Sequence, residues 1–245
     1  MKPVLIIRTG RAPDVISERH GDFPRWFQLG LRLRDANVRV IDVENGDALP
    51  NPDACAGAVL TGSASMVTER LPWSERTAGW IRDAMDVDLP MMGVCYGHQL
   101  MSHALGGRVD YLEGGREMGT IPLSRTTHAA DDLLARHLPP QFHAHATHEQ
   151  SVLELPRGAR SLATSARDPH HLVRYGQHAF STQFHPEFSA EVMRAYIRRK
   201  HDTLQKEGRA PDQLLASVVP TPEATSLLRG FLREHVGAKQ EVSAA

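Results

Sequence analysis

The sequence predicts an α/β protein built on a mostly parallel sheet flanked by helices, and three observations carry that expectation. Short β-rich runs alternate with helical patterns through the first half, as in βαβ units. The run Met91-Met92-Gly93-Val94 is apolar without alternation, as for a strand buried on both faces. Beyond Arg108 the texture changes to short strands separated by turns, which suits antiparallel additions to the same sheet.

Taken in order, Val4 to Ile7 is the first strand. Phe23 to Arg34 is broadly helical, with apolar Trp26, Phe27, Leu29, Leu31 and Leu33, and Val38 to Val43 alternates as a strand does. Ala56 to Leu60 repeats the strand pattern, and Ser74 to Met85 is a helix whose first residues, Ser74 and Glu75, suit a helix start. The strand Met91 to Val94 leads straight into Cys95, and Tyr96 to Leu105 is helical until Gly106-Gly107 stops it. Arg108 to Leu112, Gly119 to Leu123, Gln141 to His145, Leu172 to Tyr175 and His178 to Phe184 are the later strands. From Ala190 onward the chain is helical again, through Ala195 to Leu204 and, past Pro220 and Pro222, over Glu223 to His235. This gives one domain over 1–200, a C-terminal helical extension of it over 201–237 that covers the sheet edge, and a frayed tail over 238–245. Arg11 to Phe23, rich in Gly, Pro and charge, is expected to be a surface loop rather than a lid.

Composition narrows the function classes. In 245 residues, Lys and Arg number 28 against 29 Asp and Glu, so the formal charge is -1. That supplies no basic field for nucleic acid and no polybasic stripe for anionic lipid. The opening apolar stretch Val4-Leu5-Ile6-Ile7 is too short for a signal-peptide core or a membrane span, so a cytoplasmic protein is expected. The two cysteines, Cys55 and Cys95, are far apart and neither has a second Cys near enough for a metal knuckle. An intracellular enzyme with one reactive thiol fits this usage better than a disulfide framework.

Gly93-Val94-Cys95-Tyr96-Gly97 sets a nucleophile at a strand-to-helix junction with Gly two positions to either side, the layout of a nucleophile elbow with Cys in place of Ser. The sharp turn crowds its flanks, so glycines fit there, and the helix start offers a thiolate-favouring dipole and the Tyr96 N–H as an oxyanion donor. His185-Pro186-Glu187 follows a strand far downstream; Pro186 favours an extended backbone at His185, which turns the side chains of His185 and Glu187 to the same side. His185 then suits a general base and Glu187 the group that orients it. The small-residue loop Thr61-Gly62-Ser63-Ala64 ends a strand and lets backbone N–H groups of Gly62 or Ser63 approach an oxyanion. Gln99 lies one helical turn beyond Cys95, placed to hydrogen-bond a polar substrate. His143, His145 and His148 raise a metal-site alternative, but nothing clearly completes a ligand set, and no metal is expected.

Together these pieces resemble the class I glutamine amidotransferases, the triad glutaminase domains exemplified by the glutaminase half of GMP synthase. Gly93-Val94-Cys95-Tyr96-Gly97-His98-Gln99, His185-Pro186-Glu187 and Gly62-Ser63 carry the likeness, and Glu117-Met118-Gly119 and Thr147-His148-Glu149 fall where the family has a strand start and a substrate-holding loop. The resemblance runs from about Val4 to Phe188. It implies a flavodoxin-like fold in which Cys95 attacks the side-chain amide of glutamine, forms a glutamyl thioester and releases ammonia without a cofactor. It further implies His185 as the proton shuttle, Glu187 as its orienter, backbone N–H groups of Tyr96 and of Gly62 or Ser63 as the oxyanion hole, and Gln99, His148 and Glu149 as the substrate grip. Where the family commonly has paired glycines before a proline, this chain has Gly62-Ser63-Ala64, which leaves open which N–H faces inward. No Ser-Gly-Gly-x-Asp-Ser pyrophosphatase loop is present, so the resemblance implies that the ammonia acceptor sits on a separate synthase polypeptide. Two alternatives stay open. One is a free-standing hydrolase using the same triad on γ-glutamyl peptides. The other is a non-catalytic binding module, against which stands the presence of Cys95, His185 and Glu187 together.

Overall fold

The computed structural model describes residues 2–237; the expected frayed tail, 238–245, lies outside the described residues. Strands β1 (Val4–Arg8), β2 (Val38–Asp42), β3 (Gly57–Leu60) and β4 (Met91–Val94) alternate with helices α1 (Asp14–His20), α2 (Phe23–Leu31), α3 (Pro72–Asp86) and α4 (Tyr96–Ala104). Then come β5 (Arg108–Tyr111), β6 (Glu117–Arg125), β7 (Gln141–His148), β8 (Gln150–Glu154), β9 (Arg160–Thr164), β10 (Leu172–Arg174) and β11 (Ala179–Thr182). Helices α5 (Ala190–Arg199), α6 (His201–Lys206), α7 (Pro211–Ala216) and α8 (Pro222–Phe231) follow.

Nine strands form one sheet in the order β2-β1-β3-β4-β11-β10-β9-β6-β7, and β5 pairs with β8 separately. The pairings from β2 through β4 to β11 are parallel, and those from β11 to β7 are antiparallel. The mostly parallel sheet with antiparallel additions is therefore present, with β4 and β11 at its centre. Side-chain alternation along each strand splits the core into two layers. Val4, Ile6, Val59, Met92, Val94 and Phe180 face α2, α5 and α8, while Leu5, Ile7, Ala58, Leu60, Met91 and Ala179 face α3 and α4. That continuous burial explains why β4 reads as an unbroken apolar run.

Three expectations need correction. The Arg11 to Phe23 segment is not a plain loop, because Asp14–His20 is a helix whose Ile16 is buried in the core. The helical stretch expected from Ala190 through Leu204 does begin at Ala190, capped by the Ser189 side chain on Val192 N–H, but it is two helices, α5 and then α6 after a break at Lys200. The C-terminal helices cover a face rather than an edge: Phe231 packs edge-on to Phe180 of β11 at 5.8 Å, and Leu228 meets α2 where Gly30 leaves room for it. Strands β8 and β9 were not anticipated, since both are short and half polar.

Three histidines are buried as neutral rings. Burial pushes His98 down to about 3, and burial with the neighbouring positive charges pushes His145 and His235 down to about 4. The unfolded chain therefore binds more protons than the native one as pH falls from about 6.5 toward 4, so acid weakens the fold in that window. Each ring contributes at most about 1.4 kcal/mol per pH unit there. His185, raised to about 10, offsets this near pH 7 but adds little slope below about 6.5, so the urea midpoint is expected to fall between pH 6 and pH 5; a flat or rising midpoint there would contradict the assignment.

Candidate active site

Cys95 sits at the tip of the turn between β4 and α4 with φ 52° and ψ -102°, a conformation that L residues adopt only under constraint. The constraints are visible on each side. Cys95 N–H donates to the Thr182 carbonyl at the end of β11, 2.8 Å away, and Gly97 N–H donates to the Thr61 carbonyl at 3.0 Å. A Cβ on Gly93 would lie 2.5 Å from the Gly97 carbonyl oxygen, and one on Gly97 would lie 2.5 Å from the Leu60 carbonyl oxygen. The two glycines expected from spacing are thus required by backbone contact. Tyr96 N–H, first in the helix, has no acceptor among the described residues.

His185 lies beyond β11, with its N–H on the His145 carbonyl at 2.8 Å. Its Nδ1 hydrogen-bonds Glu187 Oε1 at 2.7 Å, and the ring is stacked on Phe188 with centroids 4.0 Å apart. Both side chains are buried. Nε2, on the opposite edge, has no partner in normal hydrogen-bond geometry, and Cys95 is the group that acts on that ring. Burial opposes charging of His185, but Glu187 and Cys95 outweigh it and raise the ring to about 10. The sulfur itself is 3.9 Å from the Thr147 carbonyl.

The loop after β3 is held by a hydroxyl clamp that sequence did not reveal. Thr9 Oγ1 donates to the Thr61 carbonyl at 2.9 Å and lies 3.2 Å from the Gly62 carbonyl, while Thr9 N–H donates to Thr61 Oγ1. A trans peptide sends its N–H opposite its carbonyl, so Ser63 N–H turns away from Thr9, and Ser63 lines the cavity. Gly62 sits under the imidazole, where a Cβ would come within 3.2 Å of His185 Cε1.

These groups meet in one cavity of about 150 Å³, lined among others by Ser63, Cys95, Gln99, Arg116, Glu149 and His185. It is small beside the roughly 300–1,000 Å³ of drug-sized ligand pockets and suits an amino-acid-sized group. Gln99, His148 and Glu149 all line it, but they are not equally free. The Gln99 amide nitrogen is committed to the Gln150 carbonyl at 2.7 Å and Gln183 Oε1 at 3.0 Å. His148 uses Nδ1 on the Gln150 carbonyl at 2.9 Å and Nε2 on Glu117 at 3.1 Å. Glu149 pairs with Arg116 at 2.6 Å.

His148 also belongs to a buried cluster with Glu117 and His171 whose ligand atoms lie within 4.8 Å of one another, a set different from the His143, His145 and His148 group considered from sequence. Here the Glu117 carboxylate accepts from both imidazoles, at 3.1 Å and 2.7 Å, and from Ser165 Oγ at 2.8 Å. Burial alone would raise Glu117; the His148 and His171 hydrogen bonds prevail and hold it far below the usual carboxylate range. No helix among the described residues is long and apolar enough to cross a membrane.

Comparison with known proteins decides the family. Residues 28–202 match glutamine amidotransferase class-I. The chain belongs to the class I glutamine amidotransferase family. Among relatives of this amidotransferase, a glutamine-hydrolyzing GMP synthase of Thermomicrobium roseum is 33% identical over 173 residues, covering 70% of this chain and 31% of that protein. A glutamine-hydrolyzing GMP synthase subunit of Natronomonas pharaonis is 32% identical over 182 residues, 71% of this chain and 86% of that one. Gamma-glutamyl peptidase 5 of Arabidopsis thaliana is 29% identical over 163 residues, 66% of this chain and 64% of that one. The match thus spans about two thirds of that peptidase and about a third of the T. roseum synthase. A glutamine amidotransferase of Thermotoga maritima shares the fold with a TM-score of 0.76 at 22% identity, covering 96% of this chain and 99% of that one.

Because Gly97 abuts backbone, Gly97→Ala is expected to cost roughly 1–3 kcal/mol and to abolish alkylation of Cys95 by iodoacetamide. A Cβ on Gly79 of α3 would have its nearest neighbour, the end of the Arg82 side chain, 3.7 Å away. Gly79→Ala is therefore expected to leave the melting temperature unchanged or slightly higher. Equal losses in the two variants would show that the elbow is not the constrained element.

Proposed function

We propose that this amidotransferase-family protein cleaves a γ-glutamyl amide bond through a thioester on Cys95, with glutamine as the smallest substrate and ammonia as its leaving group. The observation that carries the reading is the placement of Cys95, on a strained turn, beside an imidazole whose far nitrogen is held by a buried carboxylate at 2.7 Å.

The steps follow from the atoms present. His185 Nε2 takes the thiol proton, and the thiolate sulfur attacks the amide carbonyl carbon. The oxygen that gains charge accepts from Tyr96 N–H and from the Ser63 or Gly62 N–H. His185 then gives its proton to the amide nitrogen, the carbon–nitrogen bond breaks, and ammonia or an amine departs. Water, deprotonated by His185, attacks the thioester carbon, glutamate leaves, and the thiol is restored. Glu187 keeps Nδ1 protonated throughout, so that Nε2 is the nitrogen that exchanges protons. The bonds of the Gln99 amide nitrogen and of both His148 ring nitrogens favour a cavity-shaping role for these two, while Glu149, whose Oε1 pairs with Arg116, offers its other oxygen to a substrate ammonium.

Two forms of this reading differ in the leaving group. In one, ammonia passes to an acceptor on a separate synthase, which the relatives named as GMP synthase subunits support. In the other, a γ-glutamyl peptide is hydrolysed, which the relatives named as gamma-glutamyl peptidases support. Purified protein should release glutamate from glutamine or from γ-glutamyl dipeptides, and Cys95→Ala should release none. Glu187→Gln is expected to lower kcat by about 10²–10⁴-fold. It also removes the charge that holds His185 near 10. The imidazolium of the thiolate pair is then lost at lower pH, so the alkaline limb of the kcat/KM profile should move toward acid. An unchanged alkaline limb in Glu187→Gln would contradict the assigned role.

A further inference from the structure

At the mouth of the cavity the charges do not balance. Arg116 is buried, bonded to Glu149 on one side at 2.6 Å and to Glu207 on the other at 3.1 Å. Next to it, at the C-terminal end of α5, Arg199 and Lys200 also line the cavity, and neither makes an ion pair or side-chain hydrogen bond among the described residues. Arg11, which also lines the cavity, is paired with Asp42 at 3.0 Å, a carboxylate it shares with Arg8. Around Arg116 there are thus three cations for two carboxylates. Half-buried Lys200 registers the surplus: burial and the Arg116 and Arg199 charges lower its pKa despite Glu149 and Glu207.

Glutamine brings no net charge to such a mouth, since its α-carboxylate and α-ammonium cancel. Every γ-glutamyl compound shares that same end, so only the leaving group can add charge. An amine bearing a carboxylate makes the whole substrate a net anion, complementary to the one uncompensated cation. Arg199 offers a planar fork that matches a carboxylate, and Lys200 a mobile ammonium beside it.

We propose that Arg199 and Lys200 form an anion subsite for the leaving group, so that the preferred substrates are γ-glutamyl conjugates of amines that carry a carboxylate. This rests on the γ-glutamyl reading above and selects between its two forms. It adds binding only: the bond that forms at Cys95 and the bond that breaks at the amide nitrogen are unchanged, and the departing amine takes its proton from His185.

The test compares γ-glutamylglycine with γ-glutamylglycinamide, which differ only in the leaving-group carboxylate. The native protein should cleave the acid with kcat/KM about tenfold above the amide, mostly through KM. Arg199→Gln/Lys200→Gln should reduce that preference to near unity, by losing the acid far more than the amide. Calorimetric binding of both compounds to Cys95→Ala makes the test independent of turnover. The same preference for the acid should appear there and vanish when Arg199→Gln/Lys200→Gln is added. Equal handling of acid and amide by the native protein, in turnover or in binding to Cys95→Ala, overturns the subsite. So does a doubly substituted protein that keeps the preference. Preference in binding with no turnover of either compound would instead reject the γ-glutamyl hydrolysis reading and leave the anion subsite standing.

Discussion

The backbone at Cys95 occupies a conformation that costs on the order of 1–3 kcal/mol, and most of what surrounds it exists to keep it there. The N–H of Cys95 is fastened to β11, the N–H of Gly97 to the loop after β3, and two glycines bring α4 into backbone contact with β4 and β3. Because the sulfur is aimed by these fixed points, Ser63 of the loop, the imidazole of His185 and the start of α4 share one small cavity. Thr9 completes the arrangement from β1 by holding both carbonyls of the loop. Each of the central parallel strands contributes a C-terminal edge to the site, as expected of an open α/β sheet.

Charge is managed at two depths. Near the sulfur, a buried Glu187 keeps the imidazole oriented and favours its protonated form. Below the cavity wall, Glu117 gathers His148, His171 and Ser165 and so fixes the junction of β7 and β8, where Thr147, Glu149 and Gln150 line the cavity. The outer rim is different in kind. There Arg116 is compensated twice, while Arg199 and Lys200 have no anion of their own among the described residues, and the proposed subsite follows from that inequality.

Much of this was legible because the relevant signals are local. Gly93, Cys95 and Gly97 lie within one turn, His185 and Glu187 within one tripeptide, and β4 advertises its double burial in four apolar residues. The alternation of strands and helices marked out the parallel half. What escaped depends on distant pairs with no periodic trace. Thr9 and Thr61 are 52 positions apart and look like ordinary hydroxyl residues, and Glu117 and His171 are 54 apart. Gln99 and His148 do line the cavity as expected, but the bonds of the Gln99 amide nitrogen to Gln150 and Gln183 and of the His148 ring to Gln150 and Glu117 could not be read from sequence. Helix α1 escaped because seven residues with one buried Ile16 give too little amphipathic pattern, and β8 and β9 because half their residues are polar. The surplus cations at Arg199 and Lys200 are invisible in a chain whose net charge is -1, since only folding sets them beside Arg116.

The central claim is that Cys95 carries the γ-glutamyl group during turnover. The direct measurement is intact and peptide mass analysis of protein quenched in acid during reaction with glutamine or γ-glutamylglycine. The account predicts an added γ-glutamyl group on the Cys95 peptide, removed by hydroxylamine and missing in Cys95→Ala. Turnover without any adduct at Cys95, or turnover that survives in Cys95→Ala, would contradict it.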